Sequence, residues 1–138
     1  MIEVGSYPQR LAMASSAKPT IYVVDDDAAV LGSLQFLLET DGFAVRTFRN
    51  ATALLNATGT RGADCYVIDY KMPGINGLEL VGRLREADGD VPVVLITGYP
   101  DRNISARAAA AGVKDVILKP LLDENLIKRI RRAIQDRT

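Results

Sequence analysis

An α/β fold is predicted for this chain: a parallel sheet of five strands covered by helices on both faces. Three observations predict it. Apolar stretches with the length and β-branched content of strands recur at 20–24, 43–48, 64–69, 92–97 and 113–118. Segments of helical periodicity lie between them, and strict alternation of strand and helix demands crossover connections, which belong to parallel sheets. The length, 138 residues with 48% hydrophobic content, suits one filled core and no second one.

Residues 1–18, MIEVGSYPQRLAMASSAK, have no sustained periodicity and are rich in Ser, Ala and Gly, so they are expected to form a flexible tail before a domain at 19–138. Met13 stands where such a domain could equally begin. The first strand, TIYVV, runs into three consecutive aspartates, Asp25, Asp26 and Asp27. Asp27 sits where a helix should start, and a carboxylate there caps the free amides at the positive end of the dipole. The helix at 28–40 has a stripe of Val30, Leu31, Leu34, Leu37 and Leu38, and Asp41–Gly42 ends it. The third strand contains the single cysteine, Cys65, within DCYVI, where a buried small hydrophobe is expected and no disulfide within the chain can form. Pro73, Gly74 and Gly77 after the third strand read as turn residues. The fourth helix, 102–111, has only the thin stripe Ile104, Ala108 and Ala111, so its packing should be weak and its displacement inexpensive. The last helix turns Leu126, Ile127, Ile130 and Ile134 inward and Lys128, Arg129, Arg131 and Arg132 mostly outward.

Charge excludes some functions. Lys plus Arg equals Asp plus Glu at 17 each, so no global field attracts nucleic acid or an anionic membrane, and the basic last helix reads as a solvated face. No apolar run approaches the roughly 18 residues of a membrane span, and the first residues lack a signal-peptide core, so a cytoplasmic protein is expected.

Parallel α/β sheets bind ligands beyond the carboxyl ends of their strands. Those ends hold Asp25 and Asp26, Asp69, Thr97 and Lys119. Carboxylates crowded together repel unless a cation joins them, and hard oxygen ligands with room for water suit Mg²⁺. Asp69, alone at the end of VIDY, is the natural nucleophile toward a phosphoryl group, whose oxygens a divalent cation and a lysine would neutralise while Thr97 donates a hydrogen bond. A flavin protein of similar architecture would need a Ser-, Thr- and Gly-rich phosphate loop where this chain has DDD. A metal-dependent phosphatase would need a deeper crevice than so small a domain offers.

VVDDD, VIDYKMPGINGLEL, VLITGYPD and VILKP, in order over residues 20–136, resemble the receiver domain of two-component response regulators, most closely receivers of the nitrogen-fixation regulator type. The resemblance implies a flavodoxin-like (βα)5 sheet of strand order 2-1-3-4-5. It also implies that Asp69 is the phosphoacceptor, that Asp26, Asp69 and the Lys71 carbonyl bind Mg²⁺ with Asp25 acting through water, and that Thr97 and Lys119 contact the phosphoryl group. The Lys119–Pro120 bond is commonly cis in the family. Implied partners are a sensor histidine kinase and, for output, a homodimer through the fourth helix, fifth strand and fifth helix, or a downstream protein. A phosphorelay intermediate, or the receiver part of a DNA-binding transcriptional regulator, is the alternative; no output domain is expected within these residues. Having no histidine, the chain is not itself a histidine phosphodonor. One departure stands out: the aromatic usual three residues before the lysine is Val116 here, and Tyr99, two beyond Thr97, is the candidate to replace it as the switch. Lys71 and Tyr99 are also expected to flank the path of hydrolytic water.

Overall fold

The computed structural model describes residues 18–58, 62–87, 89–98, 101–119 and 123–137. The elements alternate as expected: β1 (Thr20–Val24), α1 (Ala28–Thr40), β2 (Ala44–Phe48), α2 (Ala51–Thr58), β3 (Cys65–Asp69), α3 (Gly77–Ala87), β4 (Val93–Thr97), α4 (Arg102–Ala110), β5 (Asp115–Leu118) and α5 (Asp123–Arg137). All strand pairs are parallel, in the order β2-β1-β3-β4-β5. Each later strand begins one or two residues inside its apolar stretch, because the residue before it is spent on a turn. Asp64 illustrates this: its amide donates to the Thr20 carbonyl and its carboxylate accepts from the Thr20 amide at 2.8 Å, which aligns β3 with β1 before pairing begins.

The period of two along each strand sorts the core into two layers. Tyr22, Val24, Tyr66, Ile68, Val93 and Leu95 face one side with Leu54, Leu80, Leu84, Ile104 and Ala108 of α2, α3 and α4. Ile21, Val23, Val67, Val94 and Ile96 face the other, with Leu31, Leu34 and Leu38 of α1 and Leu126, Ile130 and Ala133 of α5. This distribution follows from right-handed crossovers. The chain steps one way from β1 to β2 and the opposite way thereafter, so α1 lands on one face and the next three helices on the other. The reversal falls between β1 and β3, where a crevice opens beyond their carboxyl ends.

Helix ends obey local chemistry. Asp27 caps α1 by accepting from the amides of Ala29 and Val30, and Gly42 follows that helix at φ +98°, a conformation that favours glycine. Asp101 caps α4 in the same way through the Asn103 amide at 2.8 Å. The basic face of α5 is largely engaged within the molecule. Arg129 pairs with Asp115 of β5 at 2.7 Å, Arg137 with Asp90, and Arg131 bonds the Asp41 carbonyl at 2.7 Å while lying over the Phe43 ring. These contacts tie α5 to β5, the β4 entrance and the α1–β2 turn, so part of the face expected to be solvated is engaged within the molecule.

Residues 1–17, Tyr99, Asp88 and Pro120 lie outside the described residues, so the expectations for the tail, for Tyr99 and for the Lys119–Pro120 bond are not addressed by the fold. Cys65 is fully buried, and burial first, with Asp64 second, pushes its thiol up to about 12, an inert group as expected. Leu84 is fully buried whereas Phe36 of α1 is 74% exposed. Leu84→Ala is therefore expected to lose about 2–5 kcal/mol in urea unfolding, and Phe36→Ala to stay within about 0.5 kcal/mol of the unaltered protein.

Candidate functional site

The register of the sheet assembles the site. Val24 pairs with Ile68, so the next residues, Asp25 and Asp69, emerge side by side where β1 and β3 end. Both are buried, at 1% and 5% exposure, while Asp26 is exposed at the rim. Their carboxylate oxygens and that of Asp26 lie within 4.8 Å of one another, a grouping that can chelate a divalent cation. The Asp25 carboxylate is fixed from below, accepting from the Asp27 amide at 2.9 Å, and its own amide donates to the Phe48 carbonyl. Lys119 leaves β5 after its amide bonds the Thr97 carbonyl at 2.8 Å, and its Nζ reaches Asp69 Oδ1 at 3.3 Å and Asp25 Oδ2 at 3.5 Å.

One ammonium does not offset three carboxylates. Burial first, and then the charge of Asp25, push the Asp69 carboxyl up to about 6, against the opposing pull of Lys119. Burial alone would lower the Lys119 pKa, yet Asp69 and Asp25 together outweigh it and raise it, so the ammonium stays charged at neutral pH. The uncompensated negative charge and the all-oxygen donor set fit Mg²⁺. The cleft above, about 580 Å³, is walled by Asp25, Asp26, Asp27, Asp69, Lys71, Met72, Pro73, Gly98 and Lys119. It is an open groove.

Four of the residues expected at the site therefore converge, and Lys71 lines the cleft beside them. Thr97 stands at the end of β4 at 3% exposure, and the cleft wall at that strand is Gly98. By strand alternation Thr97 belongs with Val93 and Leu95 to the face that carries α4, opposite to Asp69. Val116 packs against that same face and pairs with Leu95.

Gly77 proved more than the turn residue its neighbours suggested. It is the first residue of α3, it is buried, and its amide donates to the Tyr70 carbonyl at 2.7 Å. A Cβ there would lie 2.7 Å from the Asp69 carbonyl oxygen and 2.9 Å from the Tyr70 Cα, so only glycine lets α3 begin this close to β3. Asn76 and Glu79 form a reciprocal cap at the same point, at 2.8 and 2.9 Å. The spacing Asn-x-x-Glu in INGLEL was the available signal for that helix start. The turn after Asp69 is thereby held at both ends.

Fold and site together define a flavodoxin-like phosphoacceptor domain with a place for a divalent cation. Residues 21–131 match the response regulator receiver domain family, and the chain belongs to it. Such a domain signals through a conformational change and processes only its own phosphorylation state. The transcriptional regulatory protein FixJ of Bradyrhizobium diazoefficiens is 38% identical over 120 residues, which cover 87% of this chain and 58% of that protein. The response regulator protein TmoT of Ectopseudomonas mendocina is 35% identical over 131 residues, 94% of this chain and 60% of its own. Among solved structures, a CheY-like response regulator receiver domain protein from Methanospirillum hungatei matches with TM-score 0.83 and 26% identity, covering 88% of this chain and 97% of that one. This chain spans about three-fifths of the length of those curated relatives. Among the described residues no helix is long and apolar enough to cross a membrane.

Two expectations follow from the geometry. Gly77→Ala should force the β3–α3 turn apart, cost about 1–3 kcal/mol in urea unfolding, and weaken Mg²⁺ binding followed by titration calorimetry. The second concerns pH. An exposed aspartate titrates near 3.9 and Asp69 near about 6, so between those values the folded state holds more protons than the unfolded state. Stability falls as pH rises through that window. In the presence of chelator, Asp69→Asn should be more stable than the unaltered protein by about 1–3 kcal/mol at about pH 7 and indistinguishable from it near about pH 4. Urea midpoints at the two pH values measure the difference.

Proposed function

We propose that this chain accepts a phosphoryl group from a sensor histidine kinase onto Asp69 and that residues 19–138 form the working unit, acting in the cytoplasm. The observation that carries this reading is the contact of Lys119 Nζ with Asp69 at 3.3 Å inside a cluster of three carboxylates. An oxygen of Asp69 attacks the phosphorus of a phosphohistidine, the O–P bond forms, and the P–N bond breaks with its electron pair remaining on the imidazole. Lys119 is placed to offset charge on a phosphoryl oxygen, and Thr97 is assigned a hydrogen bond to another. Asp25, Asp26, Asp69 and the Lys71 carbonyl would hold Mg²⁺, which when bound supplies the positive charge that lets an anionic nucleophile approach an anionic phosphoryl group. Asp25 and Asp26, fixed by the end of β1, keep that charge beside the acceptor.

Output is assigned to the face that Thr97 and Val116 share with α4, with Tyr99 as the residue that couples them in place of the absent aromatic at Val116. A homodimer through α4, β5 and α5, or a downstream protein, would read that face. The similarity to FixJ, named a transcriptional regulatory protein and longer than the matched region, favours a second reading in which this chain is the receiver part of a DNA-binding regulator. A phosphorelay role would instead pass the group onward to another histidine.

Incubation with radiolabelled acetyl phosphate, or with a kinase pool charged by labelled ATP, tests the central step. Label on the unaltered protein should depend on Mg²⁺ and drop by at least about a hundredfold on chelation, and Asp69→Asn should take up none. Undiminished label on the asparagine variant would move the acceptor elsewhere.

A further inference from the structure

The helix that the switch is expected to move is held unequally at its two ends. At its C-terminal end, α4 closes through the amides of Ala111, Gly112 and Val113, which donate to carbonyls of residues 107–109 at 2.9–3.1 Å, with Gly112 at φ +83°. The carbonyls of this end meet the guanidinium of Arg85, which reaches across from α3. Its Nε donates to Ala111 O at 3.4 Å, one terminal nitrogen to Gly112 O at 3.0 Å and the other to Val91 O at 2.7 Å, where the chain enters β4. A planar fork of fixed donors therefore joins three backbone carbonyls from two segments, in a half-buried setting where each unmet carbonyl would be costly. The helix dipole also places partial negative charge at this end, which a cation complements.

Among the described residues the N-terminal end has nothing comparable. Asp101 caps it locally, through its own carboxylate to the Asn103 amide and its carbonyl to the Ser105 amide. Of the side chains in its first turns only Ile104 is buried; Arg102, Asn103, Ser105, Ala106 and Arg107 are exposed. This is also the end that follows Thr97 and Gly98 in the chain, Gly98 being part of the cleft wall, whereas the Arg85 bracket lies at the opposite end of the strands, where β4 and β5 begin.

We propose that Arg85 is a positioning residue that fixes the C-terminal end of α4, so that switching pivots the helix about residues 111–112 with its amplitude at 101–105. The fork resists translation of the helix because sliding would break bonds to the α4–β5 turn while that to Val91 held. Rotation about the bracket keeps these bonds and displaces Ile104 most, since Ala108, the other buried side chain of the helix, lies nearer the pivot. The inference deepens the reading of this chain as a phosphorylation switch and rests on it for the direction of movement.

Amide exchange measured by NMR, with and without beryllofluoride and Mg²⁺, tests the pivot, and ¹⁹F NMR of the bound fluoride reports occupancy of the acceptor site separately. With the site occupied, exchange at Asn103 and Ser105 should change about tenfold and at Ala111, Gly112 and Val113 by less than about twofold. In Arg85→Met the second group should join the first. Arg85→Lys should behave like the methionine variant, because a point charge does not span two segments; a lysine variant like the unaltered protein would reduce Arg85 to a general charge effect and overturn the bracket. Equal changes along α4 in the unaltered protein would overturn the pivot. Absence of bound fluoride would instead count against the phosphoacceptor reading. The bracket then stands or falls on the ligand-free proteins, where Arg85→Met should speed exchange at 111–113 about tenfold more than at 103–105, and a uniform increase would sink it.

Discussion

Two carboxylates buried side by side, Asp25 and Asp69, are the constraint around which the rest of this molecule is arranged. Neighbouring anions out of water are unfavourable, and a fold that keeps them must supply compensation from elsewhere. Lys119 supplies part of it from the end of β5, across two strands from β1, so the site holds the sheet's two halves to a common purpose. The remainder is left open to a cation and, on the proposed reading, to a phosphoryl group. A site whose charge is incompletely balanced is sensitive to what binds there, which is the physical requirement for a switch.

The sheet gives that sensitivity a direction. Asp69 belongs with the residues that face α1 and α5, whereas Thr97, one strand over, belongs with those that face α4. On the proposed reading, a change at Asp69 that draws on Thr97 draws across the plane of the sheet, toward a helix whose buried side chains are Ile104 and Ala108. The opposite face is reinforced, since α5 is joined to β5 and to the α1–β2 turn by Arg129 and Arg131. On the proposed reading, stiffness on one side and a helix held mainly at its C-terminal end on the other would confine the response to α4 and its neighbours. Val116, where an aromatic would ordinarily sit, packs on that responsive face as a smaller side chain.

Much of this was legible in the amino-acid sequence. Alternating strand and helix periodicities, the DDD run, the isolated Asp69 and the terminal Lys119 determined an α/β sheet with an acidic site at its strand ends, because period and strand ends are local properties. The caps at Asp27 and Asp41–Gly42 were local too. Tertiary structure alone decided the rest. That Gly77 must lack a Cβ depends on how closely α3 returns to β3, and that Arg85 is a bracket depends on two turns, 91 and 111–112, being brought beside α3. Asn76 and Glu79 were written in INGLEL, yet their importance appears only once their helix is seen to clamp the turn after Asp69. The sequence by itself determined which chemistry collects at the strand ends. Which side chains share a face of the sheet, and which backbone approaches too closely for any other residue, are set by distances between segments remote in the chain, and those exist only when the core has packed.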